Sequence, residues 1–121
     1  MLNKEEIIKK CKKVSIDYVI GHGSALVMHG VKEKTRDIDA STSIDVFRQL
    51  EGKIKNGIMI ENYCVEGFDI HVIMNYEDYE YEIIEGLKVA TLSQTIRDKK
   101  SLGRPKDFEQ IKMIKKHLMK F

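Results

Sequence analysis

Residues 17–43 read DYVIGHGSALVMHGVKEKTRDIDASTS, and this stretch decides the fold. A short β-rich run at residues 17–20 ends in a Gly-His-Gly turn, and a helix-like segment follows until Gly30. Residues 37–43 form the next β-rich run. Glycine permits the sharp bend and also ends helices, so the pattern predicts strand, turn, short helix and second strand.

Two aspartates in the second strand, Asp37 and Asp39, are separated only by Ile38. Side chains alternate along a strand, so we expect both carboxylates on one face and Ile38 in the core. A third acid, Asp69, lies in the apolar run at residues 68–74, where burying a lone carboxylate without a cation is costly. An exposed strand face could carry the same pair for solubility alone. If the strands pair, the three acids converge at the glycine turn and predict a divalent metal for phosphate chemistry.

The turn itself is a weaker signal. Gly21 and Gly23 let the backbone approach a ligand closely, and we predict that the following helix begins at Ser24. Free amides at a helix N-terminus favour a phosphate, to which the Ser24 hydroxyl could also donate. A plain strand-to-helix turn with a serine cap would look the same. For His22 a local hydrogen bond is a simpler role than a ligand contact.

Composition sets limits on the class of protein. The 121 residues fit one domain, and 21 basic against 19 acidic residues give a net charge of only +2. Nucleic-acid binding through the lysine-rich ends is therefore the weakest of the functions considered. Cys11 and Cys64 match no disulfide framework or metal spacing. With no apolar run of membrane-spanning length and no signal-peptide pattern, we expect a cytoplasmic protein that does not enter a membrane.

The remaining segments complete an α+β domain with a mixed β-sheet flanked by helices. We predict a first helix capped by Asn3, and a helix over residues 44–50 that Ser43 or Asp45 opens and that closes near Gly52. Two hairpins follow, one over residues 58–74 turning at Glu66-Gly67 and one over residues 79–90 turning at Glu85-Gly86. Ser93 caps the next predicted helix, which runs through Lys100, and a last helix starts at Pro105 with a buried stripe of Ile111, Ile114, Leu118 and Met119. Several antiparallel strands are thus expected after the third helix.

Gly23-Ser24, twelve further residues, Asp37-Ile38-Asp39 and then Asp69 in a later strand resemble the signature of the nucleotidyltransferase superfamily. Residues 23–30 and 35–39 are similar to its small prokaryotic members, including the toxin-type branch. Lys99 and the GRPKD block at residues 103–107 are similar to the block that follows the sheet in those proteins. The resemblance spans roughly residues 18–115 and implies one nucleotidyltransferase-like domain over residues 1–121. The sequence departs from the family pattern at His22, where glycine is common, and among residues 1–121 we expect no large substrate-binding domain after the core.

The resemblance implies transfer of a nucleoside monophosphate from a nucleoside triphosphate to an acceptor, with release of pyrophosphate. Asp37 and Asp39 would hold Mg²⁺, or Mn²⁺, against the triphosphate, and Asp69 would complete a second metal position near the acceptor hydroxyl. The nucleotide-binding residues implied in the same way are Gly23 and Ser24 for the phosphates, and Lys99 as a point charge on the triphosphate.

Four further residues are expected behind the site or on its acceptor side: His22, Arg36, Arg104 and Asp107. Asp107 either pairs with Arg104 or Lys99, or touches the acceptor. Arg36 fits a surface ion pair better than a phosphate contact.

The acceptor stays open at this point, as a small molecule, an RNA or a protein. A partner protein or a second copy of the chain is expected to complete the acceptor pocket, because small nucleotidyltransferase cores often need one. The alternative function is a non-catalytic nucleotide-binding or toxin–antitoxin module with the same fold.

Overall fold

The computed structural model describes residues 1–14, 16–55 and 68–120. The first strand of the hairpin predicted over residues 58–74, and its turn, lie outside these ranges. The helices are α1 (Lys4–Cys11), α2 (His22–Met28), α3 (Ile44–Lys55), α4 (Leu92–Leu102) and α5 (Pro105–Leu118), and the strands are β1 (Val19–Gly21), β2 (Ile38–Thr42), β3 (Phe68–Val72), β4 (Tyr81–Ile84) and β5 (Leu87–Ala90).

The five described strands form one mixed sheet in the order β3-β2-β1-β5-β4. β1 is antiparallel to β2 and parallel to β5, while β4 and β5 form an antiparallel hairpin. The predicted α+β class and mixed sheet are confirmed, as is the hairpin that turns at Glu85-Gly86. β3 runs parallel to β2, and the strand with which it was predicted to form an antiparallel hairpin lies outside the described residues. β3 also ends at Val72, two residues before the predicted end.

The central strand β1 is buried along its whole length, between β2 and β5. Ile20 of β1, Ile38 of β2 and Val89 of β5 have no exposed surface, and Leu26 of α2 is equally buried. Fully burying such a side chain contributes about 1.5–3 kcal/mol. The β1–β2 pairing sets Gly21 opposite Asp39, and so places the end of β1 and the glycine turn against the start of β2.

Helix ends follow local hydrogen-bond chemistry, with two departures from the predicted bounds. Asn3 caps α1 as predicted, since its side chain accepts from the Glu6 amide at 2.9 Å. α4 is capped by Thr91 instead of Ser93, because the Thr91 hydroxyl accepts from the Gln94 amide at 3.1 Å. The left-handed Gly103, with φ of 63°, ends α4 after Leu102, two residues past the predicted end.

α3 extends past its predicted end, and the buried stripe of α5 is shorter than predicted. Ser43 opens α3 as predicted, by accepting from the Val46 amide at 3.3 Å, but α3 continues through Gly52 to Lys55. A single glycine weakens a helix without necessarily ending it.

α5 begins at Pro105 as predicted, and Ile111 and Ile114 are buried. The buried stripe stops there: Leu118 is 50% exposed and Met119 85% exposed, because the last turn extends beyond the core and Met119 follows the helix.

Candidate active site

The strand register gathers the predicted acids at one place. Asp39 lies directly opposite Asp69 in the parallel β2–β3 pair and opposite Gly21 on β1. Paired residues of neighbouring strands share a face of the sheet, so both carboxylates project from the face opposite the buried Ile38. Asp37 directly precedes β2. All three aspartates line one cavity of ≈ 630 Å³, together with Gly23 of the turn.

Basic side chains surround the same cavity. Five of them line it: Lys32, Arg36, Lys99, Arg104 and Lys106. They outnumber the three aspartates, so the cavity attracts anions while it still offers carboxylate oxygens to a cation. Lys32 and Lys106 were not predicted as site residues. Lys106 belongs to the GRPKD block, but no sequence pattern marks Lys32, which lies in the loop after α2.

The glycine turn differs in detail from its prediction. α2 begins at His22, two residues before the predicted start, and has only seven residues. A side chain at position 23 would place its Cβ 3.1 Å from the Thr35 hydroxyl, so Gly23 allows this close packing. With so short a helix, the positive charge at the cavity comes mainly from the basic side chains instead of the helix dipole.

Ser24 takes a structural position. Its side chain is fully buried, and its hydroxyl donates to the Gly21 carbonyl at 2.7 Å. The same oxygen accepts from the Asp39 amide at 3.0 Å. The hydroxyl that was predicted to meet a phosphate therefore connects the turn to β2 and fixes the backbone of Asp39.

Lys99 reaches the cavity from α4 with its side chain almost fully enclosed, at 3% exposure. Its ammonium donates to the side-chain oxygen of Gln110 and lies 3.9 Å from the Asp107 carboxylate. Burial lowers the pKa of Lys99, and the nearby charge of Lys32 acts in the same direction while Asp107 opposes it. α5 thus holds the Lys99 ammonium in place.

Asp107 is fully buried and accepts three hydrogen bonds from Arg104: from the backbone amide at 3.1 Å, from Nε at 2.7 Å and from Nη2 at 3.1 Å. The Arg104 side chain, with burial opposing it, lowers the pKa of Asp107. Asp107 therefore pairs with Arg104 and Lys99 together, which is the structural one of its two predicted roles. Arg104 is half exposed and lines the cavity.

Two histidines lie among the aspartates. His71 Nε2 is 3.3 Å from Asp39 Oδ1, and this contact raises the pKa of His71. The His22 ring centroid is 5.5 Å from that of His71. Burial lowers the pKa of His22, although Asp39 and Asp98 oppose the shift. His71 was not predicted as a site residue. It lies two residues after Asp69 on the same strand, and because strand side chains alternate between faces, this spacing indicates that His71 shares the face of Asp69.

Two predicted contacts are not found. Within residues 1–14, 16–55 and 68–120, the His22 ring makes no hydrogen bond, so the expected local hydrogen bond is absent there. In the same ranges Arg36 has no carboxylate within ion-pair distance, and it is exposed at the cavity wall. Both side chains therefore present unpaired polar groups beside the aspartates.

The carboxylates suit a magnesium ion that arrives with its substrate. Among the described residues, no three His, Cys, Asp or Glu side chains are grouped closely enough to hold a metal by themselves. Mg²⁺ commonly takes one or two carboxylates and completes its shell with water and phosphate oxygens. Asp37 and Asp39, with Asp69 beside them, offer such carboxylates in a cavity whose basic side chains can meet the phosphate oxygens. No described helix combines the length and apolar character needed to cross a membrane.

Comparison with known proteins adds no family to this description. No family model, curated protein or solved structure matches the chain. The chemistry therefore rests on the cavity, its charges and the elements that hold them.

Proposed function

We propose that the chain is a Mg²⁺-dependent nucleotidyltransferase with a nucleotidyltransferase-like fold. It would transfer a nucleoside monophosphate from a nucleoside triphosphate to an acceptor and release pyrophosphate. One observation carries the proposal: three aspartates and five basic side chains line a single cavity beside the glycine turn. A triphosphate needs both groups, cationic side chains for its oxygens and carboxylates for its metal.

The basic residues divide into two groups around this cavity. Lys99 and Arg104 are held by Asp107, so their positions are set before a ligand arrives. Lys32, Arg36 and Lys106 have no carboxylate partner in the described part of the chain, and they are available to phosphate oxygens. Fixed charges lower the cost of organising the site around a developing negative charge.

In this proposal Asp37 and Asp39 would hold Mg²⁺ beside the triphosphate, and Asp69 would face the acceptor. When bound, the metal supplies Lewis-acid polarisation of the phosphate oxygens. An acceptor hydroxyl oxygen bonds to the α-phosphorus while the bond to the bridging oxygen of the β-phosphate breaks. Asp69 receives the hydroxyl proton, and the basic side chains stabilise the departing pyrophosphate. Ser24 maintains the geometry by tying the turn to the Asp39 amide.

The test is incorporation of label from α-labelled nucleoside triphosphates into small-molecule, RNA and protein fractions of a cell extract. The double variant Asp37→Ala/Asp39→Ala should lose incorporation by at least about 100-fold, because it removes both proposed metal ligands. Asp45→Ala is the matched control, since Asp45 is an exposed acid on α3 that does not line the cavity. Thermal unfolding verifies that each variant is folded.

Full incorporation by the double variant would refute the proposal. If the wild-type chain binds triphosphates with Mg²⁺ in calorimetry but transfers no label to any fraction, the non-catalytic nucleotide-binding module is the correct function. The toxin–antitoxin setting of such a module would then be tested through its partner protein.

A further inference from the structure

We propose that His22 is a substrate-binding residue, whose imidazole hydrogen-bonds a hydroxyl group of the bound substrate. Because its ligand is a substrate of the proposed reaction, this role rests on the proposed function. The resemblance does not supply it, since the family commonly has glycine at this position.

The backbone at His22 is strained in a way that glycine would relieve. Among the described residues other than glycine, only His22 and Glu85 have positive φ, at 49° and 53°. Side chains disfavour this left-handed conformation, and glycine adopts it freely. Glu85 occupies the tight turn between β4 and β5, where primed hairpin turns require positive φ. His22 is not in such a turn and lines the cavity instead. Residues with a strained backbone cluster at active sites and ligand-binding positions.

The His22 ring nitrogens are available to a ligand. Neither has a hydrogen-bond partner within the described part of the chain. In those residues every completely buried side-chain nitrogen or oxygen has a hydrogen-bond partner. Because the ring nitrogens of His22 have none, they are not completely buried. The residue lines the cavity together with Asp39 and Lys99, and its ring lies 5.5 Å from that of His71.

The chemistry of the ring selects the kind of group that it can bind. Burial lowers the pKa of His22, against the opposing charges of Asp39 and Asp98, and so favours the neutral imidazole. A neutral imidazole has one N–H donor and one acceptor nitrogen, and a hydroxyl group has the same pair of functions. Phosphate oxygens only accept hydrogen bonds, and Lys32, Lys99 and Arg104 line the same cavity with donors for them. A hydroxyl of the nucleotide ribose or of the acceptor is therefore the matching ligand.

The experiment compares the wild-type protein with His22→Gly, His22→Asn and the control Glu85→Gly. Calorimetry with Mg²⁺ and ATP, 2′-deoxy-ATP or 3′-deoxy-ATP measures binding, and thermal unfolding measures stability. His22→Gly should keep an unchanged or higher Tm. It should lose about 5–10-fold, the value of one neutral hydrogen bond, in ATP affinity if the ribose supplies the hydroxyl, or in label transfer if the acceptor supplies it. Glu85→Gly should shift the Tm in the same direction and leave the Kd unchanged. Asparagine tolerates the left-handed backbone and has a donor and an acceptor, so His22→Asn should recover part of the lost affinity.

The two possible sources of the hydroxyl are separated by the same variants. If the ribose supplies the hydroxyl, one of the two deoxy-ATP analogues should bind the wild-type protein as weakly as ATP binds His22→Gly. The affinity for that analogue should then be the same in wild type and in His22→Gly. If the acceptor supplies it, ATP affinity is unchanged and label transfer into extract at saturating ATP falls about 5–10-fold. The role of His22 would be overturned if His22→Gly showed unchanged ATP binding and unchanged label transfer. If Asp39→Ala still abolished transfer in the same assay, the proposed function would stand without that role. Absence of ATP binding and of transfer in wild type would overturn this role and the proposed function together.

Discussion

Replacing Asp107 by Asn tests whether a buried charge network holds the cation side of the cavity. Asp107 is fully buried, accepts three hydrogen bonds from Arg104 and lies 3.9 Å from the Lys99 ammonium. Asparagine keeps the shape of the side chain but removes its charge, leaving the enclosed Lys99 without a counter-ion. Breaking a buried pair costs about 3–5 kcal/mol, and we expect about 3 kcal/mol because Arg104 is half exposed. The Tm should fall by about 10 °C.

The pH dependence of this loss follows from the lowered pKa of Asp107. A carboxylate with a lower pKa in the folded state stabilises the protein above its unfolded-state pKa of 3.8, and the stabilisation is lost as the pH falls through the folded-state value. The difference in free energy of unfolding between wild type and Asp107→Asn, measured with urea, should therefore be full at pH 7 and smaller at pH 3. A difference below about 0.5 kcal/mol at pH 7, or one that does not decrease at pH 3, would refute the network.

Three further outcomes are expected. Ser24→Ala should lower the free energy of unfolding by about 1–3 kcal/mol, because the Asp39 amide loses its buried acceptor; a loss within the error of urea unfolding would contradict this. Cys11 is 1% exposed, and burial raises its pKa to about 11, so peptide mapping should find it unmodified by iodoacetamide at pH 8 in the native protein and modified in urea. Lys99→Met should weaken binding of Mg²⁺ and ATP at least about 10-fold, whereas the exposed neighbour variant Lys100→Met should not; equal affinities would remove Lys99 from the site.

Local rules predicted the parts of this fold that depend on neighbours in sequence. Alternation along β2 placed Ile38 in the core, and the Asn3 cap and the Glu85-Gly86 turn follow from side-chain chemistry within a few residues. The register that sets Asp39 opposite Asp69 is a long-range pairing, which the two short segments do not specify by themselves.

Tertiary packing decides those features of the cavity that the sequence pattern does not specify. Ser24 looks like a phosphate donor in a glycine turn, but its burial against β2 is decided by how α2 packs on the sheet. Lys32 carries no motif, and only the fold of its loop brings it beside Gly23 and Lys99. The positive φ of His22 is likewise invisible in composition, since the neighbouring glycines were available to absorb the bend.

The central claim is that Asp37 and Asp39 hold a divalent ion against a triphosphate in this cavity, with Asp69 on the acceptor side. A crystal structure of the chain with a non-hydrolysable nucleoside triphosphate and Mg²⁺ tests it most directly. We predict aspartate oxygens at about 2.0–2.1 Å from the ion, which also contacts the phosphates, with the phosphates lying between Gly23 and Lys99. A nucleotide bound elsewhere, or one in this cavity whose metal touches neither Asp37 nor Asp39, would contradict the claim.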